Sequence, residues 1–368
     1  MTERSDVLVI GGGIAGIGAG AMIAADASVR VLESEDAIGR HATGRSAAIF
    51  ILNYGNATLR ALNAASEPVF ENPDGIADST VLTPRGEMLV ATHEELPDLE
   101  AYLDGAEAIE RLTAQEAVDL CPILRPELIA GAAIERDARD IDVDRLFQGY
   151  ARLLKARGGS VHCDAGVGAV ERSNGTWRVT TAKGDFEAPI LINAAGAWAD
   201  KVAALAGVTP VGLTPFRRSA AILPPPDGMD ITRWPLIASA SEQWYAKPEA
   251  GMLMVSPAEE DPVEPHDAWA DEMVLAEGLF RFEQAVTMEV TRVVRNWAGL
   301  RTFAPDRTPV VGYAPEADGF FWLAGQGGYG IQTAPALSQL AADLCNGRTP
   351  SLAAETVAAL SPRRFRAN

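Results

Sequence analysis

The stretch "DVLVIGGGIAG" (Asp6–Gly16) decides the fold of this chain. It joins a short apolar run, typical of a buried parallel strand, to a glycine-rich loop. A helix-like run follows, and a second apolar run, "VRVLE" (Val29–Glu33), ends in an acid. Strand, G-x-G-x-x-G loop, helix, strand and acid in this order form the dinucleotide-binding fingerprint. The sequence therefore predicts a nucleotide site at the start of an α/β unit.

Each glycine of the fingerprint has a physical role. Gly11 permits the tight turn, Gly13 lets the backbone approach a pyrophosphate, and Gly16 lets the helix pack close to the strand. The helix N-terminus offers free N–H groups to phosphates, and Glu33 can accept hydrogen bonds from ribose hydroxyls. The fingerprint by itself does not separate NAD from FAD. The predicted nucleotide contacts of this unit are Gly11, Gly13, Ile14, Ala15, Gly16, Glu33 and Ser34.

The bulk composition narrows the class of protein. The 368 residues are enough for two domains, and a net charge of -19 disfavours nucleic acid and anionic lipid as partners. Cys121, Cys163 and Cys345 stand far apart, and the four histidines lack metal-ligand spacing, so we expect no metal site and a cytoplasmic location. The uncharged run 7–25 is rich in glycine and lacks a basic segment before it, so we expect no transmembrane segment and no signal peptide.

Nine segments, spread in order over almost the whole chain, resemble one family of flavoproteins. They are similar to the D-amino-acid-oxidase superfamily of FAD-dependent enzymes, and most closely to bacterial D-arginine dehydrogenase and related D-amino acid dehydrogenases. The segments are "VIGGGIAG" (9–16), "TGRSAA" (43–48), "RALNAAS" (60–66), "PRGEM" (84–88), "DIDVDRLFQGY" (140–150), "NAAGAW" (193–198), "RRSA" (217–220), "WAGLRTF" (297–303) and "GQGGYGIQT" (325–333).

The resemblance implies an α/β architecture with two domains, as in D-amino-acid oxidase and glutathione reductase. A Rossmann-like FAD-binding domain would comprise residues 1–84, 138–212 and 303–368. A substrate domain built on a mixed or antiparallel sheet would comprise residues 85–137 and 213–302. The segment "DIDVDRLFQGYARLLKARGG" predicts a helix, with acids at its start and basic residues and glycines at its end.

The flavin contacts are also implied by the resemblance. Segment 325–333 would place glycines and a helix N-terminus at the flavin, where a positive dipole end stabilises negative charge. Segment 43–48 would lie beneath the flavin, with a plain surface charge as the alternative for its arginine. Since 297–303 contains no cysteine, we expect noncovalent FAD. The implied contacts are Thr43, Gly44, Arg45, Ser46, Ala47, Val167, Ala194, Gly196, Trp198, Gly328, Tyr329, Gly330, Ile331, Gln332 and Thr333.

Two arginines are the predicted substrate cations. In the alternating strand "TPFRRSAAIL" (Thr214–Leu223), Arg218 shares a face with apolar residues and Arg217 points away. An arginine on an apolar face needs a partner or a ligand, so Arg218 is the candidate and Arg217 is expected to be paired or solvated. With Arg301, it would suit bidentate capture of a carboxylate.

Other residues complete the substrate site by resemblance. Tyr54 and Tyr245 would finish the carboxylate clamp, with a core role as their alternative. Glu87 would attract a cationic side chain, with a surface position or an internal ion pair as its alternatives. The chain departs from D-arginine dehydrogenase at Ile49 and Ile51, where that family has polar residues, so the pocket is predicted to be more apolar. The predicted catalytic set is Tyr54, Glu87, Arg218, Tyr245, Arg301 and Gly328.

The implied reaction is oxidative deamination of a D-amino acid with a cationic or large apolar side chain. Hydride would pass from Cα to flavin N5, and the imino acid would hydrolyse to a 2-oxo acid and ammonia. Oxidation of sarcosine, glycine or another secondary amine is the first alternative, and a non-catalytic flavoprotein is the second. An electron acceptor is also implied: a quinone, another carrier or oxygen.

Overall fold

The computed structural model describes residues 2–366; residues 1, 367 and 368, which belong to the predicted segments 1–84 and 303–368, lie outside this range. The strands are β1 (Thr2–Arg4), β2 (Val7–Ile10), β3 (Val29–Leu32), β4 (Ile49–Phe50), β5 (Leu82–Pro84), β6 (Glu87–Ala91), β7 (Ile109–Leu112), β8 (Gly131–Glu135), β9 (Arg139–Ile141), β10 (Ser160–His162), β11 (Val167–Ser173), β12 (Thr176–Thr181), β13 (Gly184–Ala188), β14 (Ile190–Asn193), β15 (Thr214–Leu223), β16 (Leu236–Ser239), β17 (Tyr245–Glu249), β18 (Met252–Ser256), β19 (Asp261–Pro262), β20 (Arg295–Phe303), β21 (Val310–Tyr313) and β22 (Phe320–Ala324). The helices are α1 (Ile14–Ile23), α2 (Ala57–Glu71), α3 (Leu96–Leu103), α4 (Ala114–Leu120), α5 (Val143–Ala156), α6 (Ala199–Leu205), α7 (Glu272–Ala285), α8 (Ala334–Cys345) and α9 (Ala354–Leu360).

A six-stranded sheet carries the fingerprint. Its strand order is β10-β3-β2-β14-β22-β21, and every neighbouring pair is parallel except β21 with β22. All four residues of β2 are buried, as expected for a parallel strand covered on both faces. Helix α1 packs against α5 and α8, and a four-stranded sheet, β1-β13-β12-β11, adds a second layer beside β2 and β14.

A nine-stranded sheet forms the other large unit. The order β19-β15-β18-β17-β16-β6-β8-β7 is antiparallel except where β16 meets β6, and β20 pairs with β15 along nine residues. Its back is covered by an apolar cluster that includes Leu275, Leu279 and Phe282 of α7. The predicted fold class, a Rossmann-like unit with a mixed-sheet substrate unit, is confirmed.

Short elements connect the two units. Strands β4, β9 and β5 form a small antiparallel sheet where the chain passes between the large ones. The predicted helix after residue 140 is α5, and the side chain of Asp142 accepts a hydrogen bond from the backbone N–H of Arg145 at its start. Between residues 2 and 366 no helix is long and apolar enough to cross a bilayer, and the uncharged run 7–25 forms β2 and α1.

Candidate active site

One cavity of about 600 Å³ is lined by both the six-stranded and the nine-stranded sheet units. The fingerprint loop and the segments 39–47 and 194–198 line one end, and residues of β15, β17 and β20 line the other. The predicted site residues that line it are Gly11, Gly13, Ile14, Ala15, Glu33, Ser34, Thr43, Arg45, Ser46, Ala47, Val167, Ala194, Gly196, Trp198, Arg218, Tyr245, Arg301, Gly328, Gly330 and Ile331.

The glycines of the fingerprint bring backbone to the cavity wall. Gly11 has φ +112, and a Cβ there would lie 2.3 Å from the carbonyl oxygen of Ala194. A Cβ on Gly16 would lie 2.0 Å from the carbonyl oxygen of Gly11, so this glycine serves the packing of α1 rather than the cavity surface. Gly13 precedes α1 without a side-chain cap; the N–H of Ile14 donates to the Thr43 hydroxyl at 3.0 Å, and the N–H groups that follow it at the helix N-terminus suit an anionic ligand. The loop therefore fits a dinucleotide pyrophosphate.

Glu33 shapes the loop as well as facing the cavity. One carboxylate oxygen accepts the N–H of Gly12 at 2.7 Å, and the other accepts the N–H of Glu35 at 2.9 Å and the hydroxyl of Ser34 at 3.0 Å. These bonds hold the acid at the end of β3, beside the turn that would carry the pyrophosphate. The Glu33 carboxylate that is predicted to contact the ribose is thus held in a fixed position by hydrogen bonds.

Arg45 connects the segment 42–47 to the nine-stranded sheet, which is called the substrate sheet below, through hydrogen bonds. Its guanidinium donates to the carbonyl oxygens of Ala268 at 2.7 Å and Ala298 at 3.0 Å, and it pairs with Asp267. In return, the indole N–H of Trp297 donates to the carbonyl oxygen of Arg45 at 3.1 Å. The alternative of a plain surface charge therefore does not describe this arginine.

Five of the predicted flavin contacts do not line the cavity: Gly16, Gly44, Tyr329, Gln332 and Thr333. Gln332 accepts from the N–H of Ile51 at 3.2 Å and donates to Asn63 at 3.0 Å. The hydroxyl of Thr333 donates to the carbonyl oxygen of Tyr329 at 2.8 Å. Both side chains turn inward because they close the buried turn before α8, which sequence spacing does not reveal. Their roles at the flavin stay predictions.

Arg301 and Tyr54 meet at the other end of the cavity. The Arg301 guanidinium lies 3.5 Å from the hydroxyl of Tyr54. A Cβ on Gly328 would lie 3.1 Å from the Cζ atom of Arg301. Burial raises the pKa of Tyr54, and the charge of Arg301 opposes that shift. Tyr54 itself does not line the cavity but packs against Tyr329, with ring centroids 4.6 Å apart. The sequence-distant residues 54, 301 and 328 thus form one cluster.

Adjacent arginines on β15 face different surroundings. Arg217 pairs with Asp261 at 2.8 Å, whereas Arg218 is 8% exposed and lines the cavity. Burial, and then the like charge of Arg301, lower the pKa of Arg218. The Nε atom of Arg218 is buried with no hydrogen-bond partner within residues 2–366. Two like charges and an unpaired donor make this end of the cavity suited to an anion.

Glu87 lies outside the cavity lining, in a buried pair of acids. It is directly opposite Glu135 across β6 and β8, and the hydroxyl of Tyr102 donates to its carboxyl at 2.8 Å. Burial and then the charge of Glu135 raise the pKa of Glu87 to about 8. At neutral pH the carboxyl is therefore mostly protonated, which weakens its predicted attraction for a cation.

The two isoleucines also lie outside the cavity lining. Ile51 is buried at 3% exposure, and Ile49 is opposite Asp140 in the small sheet. Neither side chain therefore contributes to the cavity surface.

Three charged residues near the clamp were missed by sequence reasoning. Glu260 bridges Arg218 at 3.2 Å and Arg307 at 2.8 Å. The exposed Glu242, at φ +54 in the turn between β16 and β17, carries a charge that acts on both Tyr54 and Arg218. The acid-rich composition of the stretch around residue 260 indicates only a loop, because composition cannot show which acid folds back onto an arginine.

Comparison with known proteins places the chain in a family. Residues 6–344 match the family model described as FAD dependent oxidoreductase (DAO). The chain belongs to this family. The cofactor is therefore FAD, and the enzyme class is FAD-dependent oxidoreductase. A glycine oxidase of Bacillus licheniformis is 26% identical over 365 residues, 94% of each chain.

Solved structures show the same fold. Glycine oxidase from Geobacillus kaustophilus superposes with a TM-score of 0.86 at 23% identity, covering 100% of both chains. An L-α-glycerophosphate oxidase from Mycoplasma pneumoniae with FAD bound gives 0.85 at 18% identity, covering 95% of this chain and 98% of the other. The superfamily resemblance is confirmed, and glycine oxidases are among the relatives, whereas the likeness to D-arginine dehydrogenase in particular stays a prediction.

Proposed function

We propose that this enzyme oxidises the C–N bond of a small carboxylate-bearing amine, such as glycine, sarcosine or another N-substituted glycine. The observation that carries the proposal is that Arg218, Arg301 and Tyr245 line the end of the cavity opposite the fingerprint loop, with the Tyr54 hydroxyl 3.5 Å from the Arg301 guanidinium. Burial and then the like charge of Arg301 lower the pKa of Arg218 although Glu260 pairs with it, so a further anion bound by both arginines would be stabilised. A substrate carboxylate is the anion that matches their planar donors.

The surroundings of the clamp favour a small substrate that carries no cationic side chain. Glu87 is buried, mostly protonated at neutral pH and bonded to Tyr102, so it offers little charge to a long cationic side chain. Ile49 and Ile51 add no polar group to the cavity lining. The likeness to glycine oxidases over nearly the whole chain supports the same choice.

The residues of the chain supply binding and orientation. Arg218 and Arg301 would hold the carboxylate, and the Tyr54 hydroxyl would orient the Arg301 guanidinium by accepting a hydrogen bond from it. FAD, when bound, accepts the hydride from the substrate carbon. The substrate amine enters neutral and leaves as an imine, which water hydrolyses to a 2-oxo acid and ammonia or a primary amine. A neutral amine needs no dedicated base, in keeping with a clamp built from arginines and tyrosines.

A larger D-amino acid with a cationic side chain is the second candidate. The lack of a cation partner for Glu87 among the described residues favours it. Tyr102 donates to this acid, and no cation pairs with it within residues 2–366. A cationic substrate side chain reaching it would ionise the carboxyl and gain a buried ion pair. This candidate requires the region of Tyr54 and Tyr102 to open towards the cavity.

Anaerobic flavin reduction separates the candidates. The purified holoenzyme is mixed with glycine, sarcosine, D-alanine, D-lysine and D-methionine, and bleaching of the flavin absorbance is followed in time. We expect bleaching with glycine or sarcosine at higher kcat/KM than with any D-amino acid. Faster bleaching with D-lysine would replace the first candidate by the second, and no bleaching with any amine would contradict both. Reoxidation by air compared with a soluble quinone then identifies the acceptor class.

A further inference from the structure

The loop that carries Tyr54 has no regular secondary structure but is hydrogen-bonded to three other segments: β8, α2 and the turn before α8. Residues 51–54 lie between β4 and α2. Irregular backbone that is buried must find hydrogen-bond partners in side chains, because water cannot reach it. The identity of those partners decides how firmly the Tyr54 hydroxyl is held beside Arg301.

Glu135 supplies the partners on the side of the substrate sheet. Its carboxylate accepts from the N–H of Leu52 at 2.7 Å, the N–H of Asn53 at 3.3 Å and the side-chain amide of Asn53 at 2.6 Å. Glu135 is 4% exposed and lies at the end of β8, so its own position is fixed by the sheet. Three donors on one ionised carboxylate are charge-assisted bonds, about twice as strong as neutral ones.

Asn63 and Gln332 complete the arrangement from the opposite side. The amide of Asn63 on α2 donates to the carbonyl oxygens of Ile51 and Leu52 at 3.2 Å and of Tyr54 at 3.1 Å. Gln332 accepts from the N–H of Ile51 and donates to Asn63. The loop is thereby bonded both to the turn before α8 and to the substrate sheet.

We propose that Glu135 is a positioning residue for the carboxylate clamp, acting through the backbone of Leu52 and Asn53 to hold Tyr54 at Arg301. The inference rests on the proposed function only in taking a carboxylate as the ligand of that clamp. Burial raises the pKa of Glu135, and the hydrogen bonds from Asn53 and Leu52 oppose that shift, so the loop and the carboxylate stabilise each other. Glu87 lies directly opposite across the strand pair, and a charge on it would repel the Glu135 carboxylate.

The test measures carboxylate binding to the FAD-loaded protein without turnover. Benzoate is titrated into the parent, Glu135→Gln, Tyr54→Phe and the double variant, and perturbation of the flavin absorbance gives the Kd. The amide of Glu135→Gln keeps one acceptor but turns an N–H₂ group towards backbone donors, so we expect Kd to rise about tenfold. If Glu135 acts through Tyr54, adding Glu135→Gln to Tyr54→Phe raises Kd less than twofold further.

Several outcomes would overturn the inference. It would be overturned if the increases in Kd of the two single variants multiply in the double variant. It would also be overturned by an unchanged Kd in Glu135→Gln or by a parent that binds no benzoate. The control is Glu110→Gln, an exposed acid on the neighbouring strand β7 that pairs with Arg136, and it should leave Kd unchanged. FAD content and melting temperature are measured for every variant.

A milder variant covers the case in which Glu135→Gln fails to fold. Asn53→Ala removes the 2.6 Å bond to Glu135 and the two 2.9 Å bonds between the Asn53 side chain and the backbone of Glu107, and it leaves both backbone bonds to Glu135. We expect about a threefold rise in Kd, and an unchanged Kd would contradict the inference. Because benzoate binding needs no oxidation, a protein that oxidises no amine but shows these shifts would refute only the proposed function. Amine oxidation with no shift would refute only the role of Glu135.

Discussion

The nucleotide end of the cavity is made of backbone, and the substrate end is made of charged side chains. At the first end, Gly11 and Gly13 bring backbone to the surface within one short segment. At the second end, Tyr54, Arg218 and Arg301 come from a loop and two strands far apart in sequence. Backbone geometry follows from local sequence, whereas a side-chain cluster depends on the whole fold.

The two ends consequently differ in what they tolerate. A glycine packed against a neighbouring carbonyl has no room for any side chain, so a change there affects folding and cofactor together. A clamp arginine has a partner or a ligand at its tip, so a change there affects the ligand first. The following changes test that contrast, beginning with the largest expected effect.

Gly11→Ala should abolish stable FAD binding. The added Cβ would lie 2.3 Å from the carbonyl oxygen of Ala194, and φ +112 is unfavourable for any side chain. FAD content after gel filtration measures the effect. Gly158→Ala is the matched control, because Gly158 also has positive φ (+83) but nothing lies within 4 Å of its Cβ position. The control should keep FAD and lose only about 1 kcal/mol of stability. Equal FAD loss in both variants would show that backbone strain, and not the close contact with Ala194, causes the loss of FAD.

Arg218→Lys should raise KM on the order of tenfold to a hundredfold with little change in FAD content. Lysine keeps the charge but loses the planar donors that match a carboxylate. The adjacent Arg217→Lys is the control, since Arg217 pairs with Asp261 on the other face of β15. Steady-state kinetics on the best amine substrate distinguish them. A larger KM change in the Arg217 variant would reverse the assignment of the two arginines.

Glu87→Gln should flatten the pH dependence of stability. The pKa of Glu87 is raised from 4.5 to about 8, so the folded state holds the proton more tightly than the unfolded chain. Its stabilising contribution is complete below pH 4.5 and is lost as pH rises to about 8, with a slope of up to about 1.4 kcal/mol per pH unit. Denaturant unfolding at several pH values measures the slope. Glu110→Gln should retain the parent slope, and a parent without this slope would mean that Glu87 is ionised.

Glu242→Gln should give the smallest effect, a twofold to fivefold fall in KM for carboxylate-bearing amines, because a negative charge that opposes the bound carboxylate is removed. The exposed carboxylate acts on the clamp through space, and exposed charges contribute less than about 1 kcal/mol. The effect should shrink at high salt because mobile ions screen it. Benzoate, which carries no amine, should not bind more weakly to this variant. Weaker benzoate binding would place Glu242 in the carboxylate clamp itself.

Much of the fold and of the nucleotide end could be predicted from sequence. The run Asp6–Gly16 specified strand, turn and helix, and the structure has β2, the loop and α1 in that place. The alternation of β15 separated Arg217 from Arg218 because successive residues of a strand face opposite sides. The resemblance also led to Tyr54 and Arg301, which the structure brings together.

The remaining features could not be predicted because they depend on contacts between distant segments. Glu87 carries an ordinary acidic side chain in the sequence, and only the pairing of β6 with β8 sets it against Glu135 and raises its pKa. Gln332 was placed at the flavin by its position after a glycine run, yet its side chain reaches Ile51 and Asn63. Nothing in the local sequence distinguishes those two directions.

The sequence by itself predicted a nucleotide site and its place in the chain, since a turn, a helix terminus and an acid are properties of contiguous residues. The tertiary structure alone decided which charges meet. Glu260 on Arg218, Glu135 on the loop before Tyr54 and the neutral state of Glu87 all arise from strand pairing and burial across separate segments. The physical reason is that hydrogen bonds, Coulomb energy and desolvation depend on distance in space and on exclusion of water, which a linear sequence does not record.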